Sequence, residues 1–378
     1  MALDIWSILI IVFIFQGVFI LFSIVASPKK RMKRENIFLV FIILTLLWYL
    51  FEFLSVRNVF NVGVNLFYGT RYGSWLLLGP LTYFYYKSIT DKQWKFSKYS
   101  LAHLIPFIVF VIVIPMVYGD VLNKRQVDYG MLSVFDHREK IIEPIQYMYS
   151  VVFILQFTHL GFYLIKNINI IKAYTQDLRL EYATINGNIK WLRTFNITLI
   201  SILVFSAAFL YILLKTDIYR RHLDYIYVLP IGFLFYLIGY YMMNVEWKTV
   251  DKKTVKYANS SLDIEDMPKY VEQLERLVHE EKIYLKSDIR LKDLAVKLDV
   301  KNHHLSQIIN QHYKVSFFDF INKNRIEHAK VDITNTPDKP LIQVAFDSGF
   351  NNKTSFVNAF KKFENKTPSK YKESVLNS

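Results

Sequence analysis

Seven apolar stretches fill most of the first 244 of the 378 residues, and they limit the folds open to the chain. A helix needs roughly 20 apolar residues to cross about 30 Å of hydrocarbon, where no water satisfies the backbone polar groups. With 53% hydrophobic residues, the chain does not fit one water-soluble globule. We therefore predict an all-α fold that begins with a seven-helix transmembrane bundle, domain 1–244. The stretches lie near 3–26, 36–56, 72–89, 100–118, 144–166, 192–214 and 224–244.

Basic residues between the stretches predict the orientation. Cytoplasmic loops of membrane proteins carry an excess of Lys and Arg. The loops after the first, third and fifth stretches are basic, which places the N-terminus outside and the tail from Val245 in the cytoplasm. The other loops also contain basic residues, so the difference in basic charge between the two sides is moderate. The three basic groups are Lys29, Lys30, Arg31, Lys33 and Arg34, then Lys92, Lys95 and Lys98, then Lys166, Lys172, Arg179, Lys190 and Arg193.

A few ionisable residues fall within or beside the apolar stretches. Charged groups in lipid are costly and often functional, so they are candidates for sensing a stimulus or a small ligand. The alternative is a local pair or an interfacial position. The residues are Glu52, Arg71, His103, His159 and Asp224.

Several enzyme classes are disfavoured. The chain has no cysteine, which excludes disulfides, thiolate metal sites and a cysteine nucleophile. The last stretch has no lysine between Asp224 and Asn244 for a retinal Schiff base, and GxSxG and HExxH patterns are missing. The adjacent His303 and His304 would point about 100° apart on a helix, which makes a poor metal pair. We expect neither an enzyme nor a cofactor or metal.

A polar linker, residues 245–266, follows the apolar region. It contains Lys248, Lys252, Lys253 and Lys256, which suit anionic lipid at the membrane surface, although ordinary flanking charge explains them equally. The net charge of +14 fits lipid, nucleic acid or both.

Domain 267–378 carries two similar helical patterns. In the first, about 291–312, apolar residues recur at helical spacing, Ala295 allows a close crossing, and Asp299 lies at a sharp turn. In the second, about 341–364, Ala345 and Gly349 repeat that spacing, and Gly349 supplies a positive φ. Each pattern predicts a helix-turn-helix unit.

Local signals place the ends of the later helices. We predict that Asn351 or Asn352 caps the helix of the second unit, and that Thr367 and Pro368 begin a last helix. Between the units, an amphipathic stretch of about 18 residues makes a rod of roughly 27 Å. Such a spacer suits two recognition helices about 34 Å apart, one DNA turn, on one face of a duplex.

The domain resembles the DNA-binding domain of the AraC/XylS family of bacterial transcription regulators. The matching sequence motifs cover about 90 residues and occur in the same order as in the family. They are LKDLAVKL, HHLSQIIN, FINKNRIEHAK, VAFDSGF, SFVNAFKKF and TPSKY. Asp299, Lys314 and Asn365 stand where family members often have Gly. The apolar region is similar to seven-span sensor regions attached to such domains in some bacteria, including INGNIKWLR at 185–193.

The resemblance implies which side chains meet double-stranded DNA. It assigns His303, Ser306, Gln307 and Asn310 to the first recognition helix. It assigns Asn351, Asn352, Lys353, Thr354 and Asn358 to the second, with Lys361, Lys362, Lys366 and Lys370 for phosphates. Basic residues exceed acidic ones after Gly349, where the second helix lies. For each residue taken singly, the alternative to DNA contact is a position on a helix face that is simply exposed to solvent.

These features predict a regulator of the bacterial cytoplasmic membrane that binds promoter DNA and responds to a stimulus through its helix bundle. Pairing of two chains is considered because many DNA regulators are dimers. Loop 167–190 and linker 245–266 are the expected routes of coupling. The alternatives are a transporter or membrane enzyme with a regulatory DNA-binding tail, and a tail that binds protein.

Overall fold

A computed structural model describes residues 4–27, 34–57, 73–91, 93–112, 143–183, 187–216, 223–244 and 267–377. Within these ranges the regular structure is helical, apart from one isolated antiparallel bridge between Tyr182 and Arg290. The prediction of an all-α fold is therefore confirmed for the described residues. The linker 245–266 lies outside them.

All seven apolar stretches are helical over their described residues. The helices are α1 Ile5–Ala26, α2 Arg34–Arg57, α3 Ser74–Thr90, α4 Lys98–Ile112, α5 Glu143–Glu181, α6 Gly187–Lys215 and α7 Asp224–Asn244. The first seven residues of α4 form a 3-10 helix, and α5 continues 15 residues past the predicted end at 166.

Length and hydropathy separate these helices into two groups. Among the described residues, four segments are long and apolar enough to cross a membrane: Ile5–Ala26, Arg34–Leu54, Val151–Glu181 and Ile189–Ile212. Lys98–Ile112 and Val228–Tyr241 are shorter apolar helices, and α3 has 17 residues with Pro80 inside it. The predicted count of seven spans is thus supported by length and hydropathy at four positions.

Helix α1 shows how the apolar region packs. Ile10, Phe13 and Ile20 are buried on one side, while Phe15 and Phe19 are 70% and 66% exposed on the other. A helix that is apolar all round and still exposes phenylalanine suits a lipid environment. On the buried side, an added Cβ at Gly17 would lie 2.7 Å from Cδ2 of Leu47, so Gly17 permits a close approach to α2.

The chain divides into two compact units. The N-terminal unit comprises Met1–Ile171 and Lys190–Lys248, and the C-terminal unit comprises Lys172–Ile189 and Thr249–Ser378. The C-terminal unit therefore takes in the end of α5 and the residues after it, which fall within the predicted membrane domain 1–244.

The described part of the C-terminal unit adds seven α-helices and one short 3-10 helix, Ile283–Leu285. The α-helices are α8 Met267–His279, α9 Leu291–Lys297, α10 Asn302–His312, α11 Phe317–Asn335, α12 Leu341–Asp347, α13 Lys353–Glu364 and α14 Pro368–Leu376. One apolar core gathers residues from α8 to the start of α11, and a second gathers the rest of α11 with α12 and α13. Helix α11 contributes to both cores and so joins the two halves.

Candidate nucleic-acid interface

Helices α9 and α10 form the first helix pair. Leu294, Ala295 and Leu305 are buried where the two helices meet. The turn between them passes through Asp299 at φ 52°, and the N–H of Val300 donates to the carbonyl of Ala295 at 2.9 Å. The predicted sharp turn at Asp299 is confirmed.

Helices α12 and α13 form the second pair with the same turn. Gly349 has φ 86°, and the N–H of Phe350 donates to the carbonyl of Ala345 at 2.9 Å. Two further backbone hydrogen bonds repeat at an offset of fifty residues. The N–H of Leu298 donates to the carbonyl of Leu294, as that of Ser348 does to Val344. The N–H of Asp299 donates to the carbonyl of Val296, as that of Gly349 does to Phe346. The repeat inferred from spacing therefore holds at the level of individual backbone hydrogen bonds.

The predicted helix caps are confirmed. The Asn352 side chain accepts from the N–H of Ser355 at 2.9 Å, so Asn352 rather than Asn351 caps α13. The Thr367 hydroxyl accepts from the N–H of Lys370, and Pro368 opens α14. Because the Asn352 side chain is held at the cap, the backbone start of α13 is fixed.

A buried arginine, which the sequence reading did not single out, joins the two halves. Arg325 is 0% exposed and lies on α11. Its Nε donates to the carbonyl of Tyr284 at 2.7 Å, and a terminal N–H group donates to that of Lys286 at 2.8 Å. On its other side the guanidinium lies 5.5 Å from the ring centre of Phe350. Burial lowers the pKa of Arg325 to about 10, so it stays charged at neutral pH.

The position of Arg325 could have been noticed from spacing alone. It lies four residues from Ile321 and four from Ala329, both buried, so it falls on the apolar stripe of α11. The carbonyl oxygens that it satisfies come from residues about 40 positions earlier, which no local pattern indicates.

The residues assigned to the first recognition helix differ in exposure. His303, Gln307 and Asn310 are partly exposed on α10, whereas Ser306 is 5% exposed, and its Oγ lies 3.5 Å from Nδ2 of Asn310. The rings of His303 and His304 meet edge to face at 4.2 Å. Burial lowers the pKa of His304, and the nearby His303 and Lys301 add to the shift.

The residues assigned to the second recognition helix form an exposed row on α13. Lys353, Thr354, Asn358 and Lys361 are exposed, as is Asn351 just before the helix. Lys362 instead pairs with Asp319 of α11 at 2.6 Å, and Asn352 serves as the cap. The exposed side chains are polar or basic, which suits base edges and phosphates.

Comparison with known proteins bears on this part of the chain. The helix-turn-helix domain family matches residues 294–374. Residues 294–374 are a helix-turn-helix domain of the AraC type. The AraC-type domain is similar to an uncharacterised HTH-type transcriptional regulator of Staphylococcus aureus strain COL, and to another of strain N315. Each is 34% identical over 90 residues, which is 24% of this chain and 12% of the relative.

A further relative is the Msm operon regulatory protein of Streptococcus mutans serotype c. It is 26% identical over 108 residues, covering 29% of this chain and 37% of the relative. The chain thus spans about an eighth of the length of the staphylococcal relatives, and the likeness concerns the C-terminal region. No solved structure matches the chain.

The AraC-type domain keeps left-handed backbone where this chain lacks the family's frequent glycines. Asp299, Lys314 and Asn365 have φ of 52°, 56° and 55°. All three positions are therefore left-handed, and each non-glycine residue bears some strain there.

Of the candidate sensor residues, three have described side chains: Glu52, His103 and His159. Glu52 is 7% exposed on α2, and His159 on α5 lies 5.0 Å, ring to ring, from Tyr163. His103 Nδ1 lies 2.6 Å from the Tyr163 hydroxyl, so both histidines contact one tyrosine that the sequence reading missed. Arg71 and the side chain of Asp224 lie outside the described residues. No cluster of three or more potential metal ligands occurs in the described part of the chain.

Proposed function

We propose that this protein is a membrane-bound transcription regulator that binds double-stranded DNA through two helix-turn-helix units. The observation that carries the proposal is the repeat of three turn hydrogen bonds between the α9–α10 and α12–α13 pairs. Two similar units on one rigid spacer can enter successive segments of the major groove on one face of the DNA. Helix α11 has 19 residues and is roughly 28 Å long, close to one turn of DNA.

Helices α10 and α13 are the proposed readers of base edges. On α10 the contacts come from His303, Gln307 and Asn310, whose amide and imidazole groups can donate and accept in the major groove. On α13 they come from the exposed set Asn351, Lys353, Thr354 and Asn358. Lys361, Lys366 and Lys370 are also exposed, and they neutralise phosphates.

Three of the assigned residues support the readers from within the protein. Ser306 is buried beside Asn310 and orients its amide. Asn352 fixes the start of α13, and Lys362 ties α13 to Asp319 on the spacer helix. We therefore place these three behind the surface that meets DNA.

The N-terminal unit is the proposed membrane sensor, with seven spans in the bacterial cytoplasmic membrane. Support comes from the seven apolar helices and from phenylalanines that α1 exposes on its outer side. The basic loops orient the N-terminus outside and the C-terminal unit in the cytoplasm. Membrane lipid, an unidentified stimulus or small ligand, and a second copy of the chain are the other proposed partners.

Selection of duplexes from random oligonucleotides by the purified intact protein tests the DNA proposal. We expect an enriched motif in two parts about 10 base pairs apart, and weaker binding to it when Asn358 and Lys353 are both replaced by Ala. Lys269→Ala, an exposed lysine on α8, is the control. If no duplex is enriched, even at low salt, the proposal is contradicted.

A further inference from the structure

The end of the fifth apolar helix, with the two residues after it, is built into the C-terminal unit. The last ten residues of α5, with Tyr182 and Ala183, belong to that unit, and we name residues 172–183 the docking segment. The N–H of Ala183 donates to the carbonyl of Ile289 at 3.4 Å, next to the bridge between Tyr182 and Arg290. Ala183 is 1% exposed and belongs to the first apolar core of the unit.

Ring contacts strengthen the attachment. The guanidinium of Arg290 lies 5.4 Å from the ring centre of Tyr182, and that of Arg179 lies 5.4 Å from the ring centre of Phe318. These contacts place the docking segment beside the start of α9, the first helix of the first pair, and beside the start of α11, the helix that follows the pair.

Buried hydrogen bonds continue from the docking segment toward the second helix pair. Asn322 is 2% exposed, and its Nδ2 donates to the carbonyl of Ala183 at 3.2 Å. Its Oδ1 accepts from the guanidinium of Arg325 at 3.3 Å. A Cβ added at Gly349 would lie 3.0 Å from Nε of Arg325, so this guanidinium fills the space behind the turn of the second pair. Ala183, Asn322, Arg325 and Gly349 thus form one contiguous path.

We infer that the docking segment transmits movement of α5 to the AraC-type domain, and that its docked state holds the two helix pairs in the spacing that binds DNA. This inference rests on the proposed function. Helix α5 is continuous over 39 residues, so a shift or rotation at one end moves the other. The attachment includes the buried side chain of Ala183, its hydrogen bonds to Ile289 and Asn322, and the two ring contacts. When the segment is released, the amide of Asn322 loses the carbonyl of Ala183, and its hydrogen bond to Arg325 is no longer held in place. The two helix pairs then lose one of their shared supports.

The absence of cysteine from the chain permits a direct test of docking in the intact protein. Residues opposed in an antiparallel bridge lie about 4.5–5.5 Å apart at Cα, within the reach of a disulfide. We expect Tyr182→Cys with Arg290→Cys to cross-link within one chain when membrane vesicles are oxidised with copper phenanthroline. Tyr182→Cys with Lys370→Cys, exposed on α14, is the control pair. Cross-linking no faster than in the control overturns the inference.

Two release variants test the consequence for DNA. Ala183→Asp places a carboxylate in the core, and Arg179→Ala with Tyr182→Ala removes both ring contacts without a new charge. With a duplex selected by the wild-type protein, we expect binding about tenfold weaker for the first and about threefold weaker for the second. Hydrogen exchange of α12–α14 checks folding.

The outcomes separate this inference from the proposed function. Wild-type affinity in the second variant, or in a folded Ala183→Asp protein, overturns the role of the docking segment. Wild-type protein that selects no duplex overturns the DNA-binding function itself. Locking the bridge by oxidation is expected to leave the affinity within twofold of wild type.

Discussion

At the scale of single residues, the sign of φ shapes the turns of the C-terminal unit. Asp299 could be predicted at a left-handed position because Asp tolerates that conformation, and Gly349 because it has no Cβ. Lys314 has φ 56° without such an intrinsic preference, so its conformation comes from the surrounding structure. Arg325 marks the limit of sequence reading at this scale, because its carbonyl partners are distant in the chain.

Substitutions at two left-handed positions should change stability in opposite directions. Gly349→Ala places a Cβ 2.7 Å from the carbonyl oxygen of Tyr284, and we expect a loss of more than about 2 kcal/mol. Lys314→Gly relieves strain and should gain up to about 1 kcal/mol. Hydrogen exchange of the α9–α14 amides in the intact protein measures both. Equal effects in the two variants would contradict the backbone explanation.

Acid should weaken the C-terminal unit partly through His328. Burial lowers the pKa of His328, with Lys282 adding to the shift and Asp332 opposing it. The unfolded chain then binds the proton more tightly, so stability is complete above the unfolded pKa and falls as pH drops below about 6.5. His328→Gln should flatten this fall without abolishing it, since burial also lowers the pKa of His304. His312→Gln is the exposed control, and denaturation midpoints from pH 7.5 to 5 provide the measurement.

At the scale of helices, local sequence patterns were sufficient to predict those elements whose contacts are close in sequence. The two helix pairs, the spacer and the caps follow from apolar spacing and capping residues, and the structure has them in the predicted places. The end of α5 is different. The prediction ended this stretch at 166, where the apolar run weakens, but the helix continues to Glu181 and its end contacts residues near 290 and 322. Such contacts join parts of the chain more than 100 residues apart, beyond the reach of a local pattern.

Two exposed residues of α13 should affect DNA binding differently. Asn358→Ala removes an amide that suits a base edge, so we expect a loss of about 1–3 kcal/mol and relaxed preference at one position. Lys361→Ala removes a charge that suits a phosphate, so binding should weaken evenly across sequences and the salt slope should fall by about 1. Titrations of specific and unrelated duplexes at several salt concentrations separate the two. A salt-slope change for Asn358→Ala alone would reverse the assignments.

At the scale of the whole molecule, composition and the basic loops predict a membrane part and a cytoplasmic part. The described helices are long and apolar enough to cross a bilayer at four positions, and two further apolar segments, Lys98–Ile112 and Val228–Tyr241, are shorter. The sequence could predict the long apolar helices because hydropathy is a summed property of each stretch. It could not predict that the C-terminal unit includes Lys172–Ile189.

The orientation can be checked with single cysteines, because the natural chain has none. Thr216 and Lys95 are both exposed beside apolar helices, and the basic loops assign them to opposite sides. A membrane-impermeant maleimide should label Thr216→Cys in intact spheroplasts, and Lys95→Cys only after lysis. The reverse pattern would place the C-terminal unit outside and contradict a role in transcription.

The most direct test of the double helix-turn-helix arrangement is a hydroxyl-radical footprint of the intact protein in membrane vesicles on its selected duplex. We expect two protected patches on one face of the DNA, about one helical turn apart, with Asn358→Ala weakening only the patch that α13 contacts. A single patch, or protection that Asn358→Ala leaves unchanged in both, would contradict it.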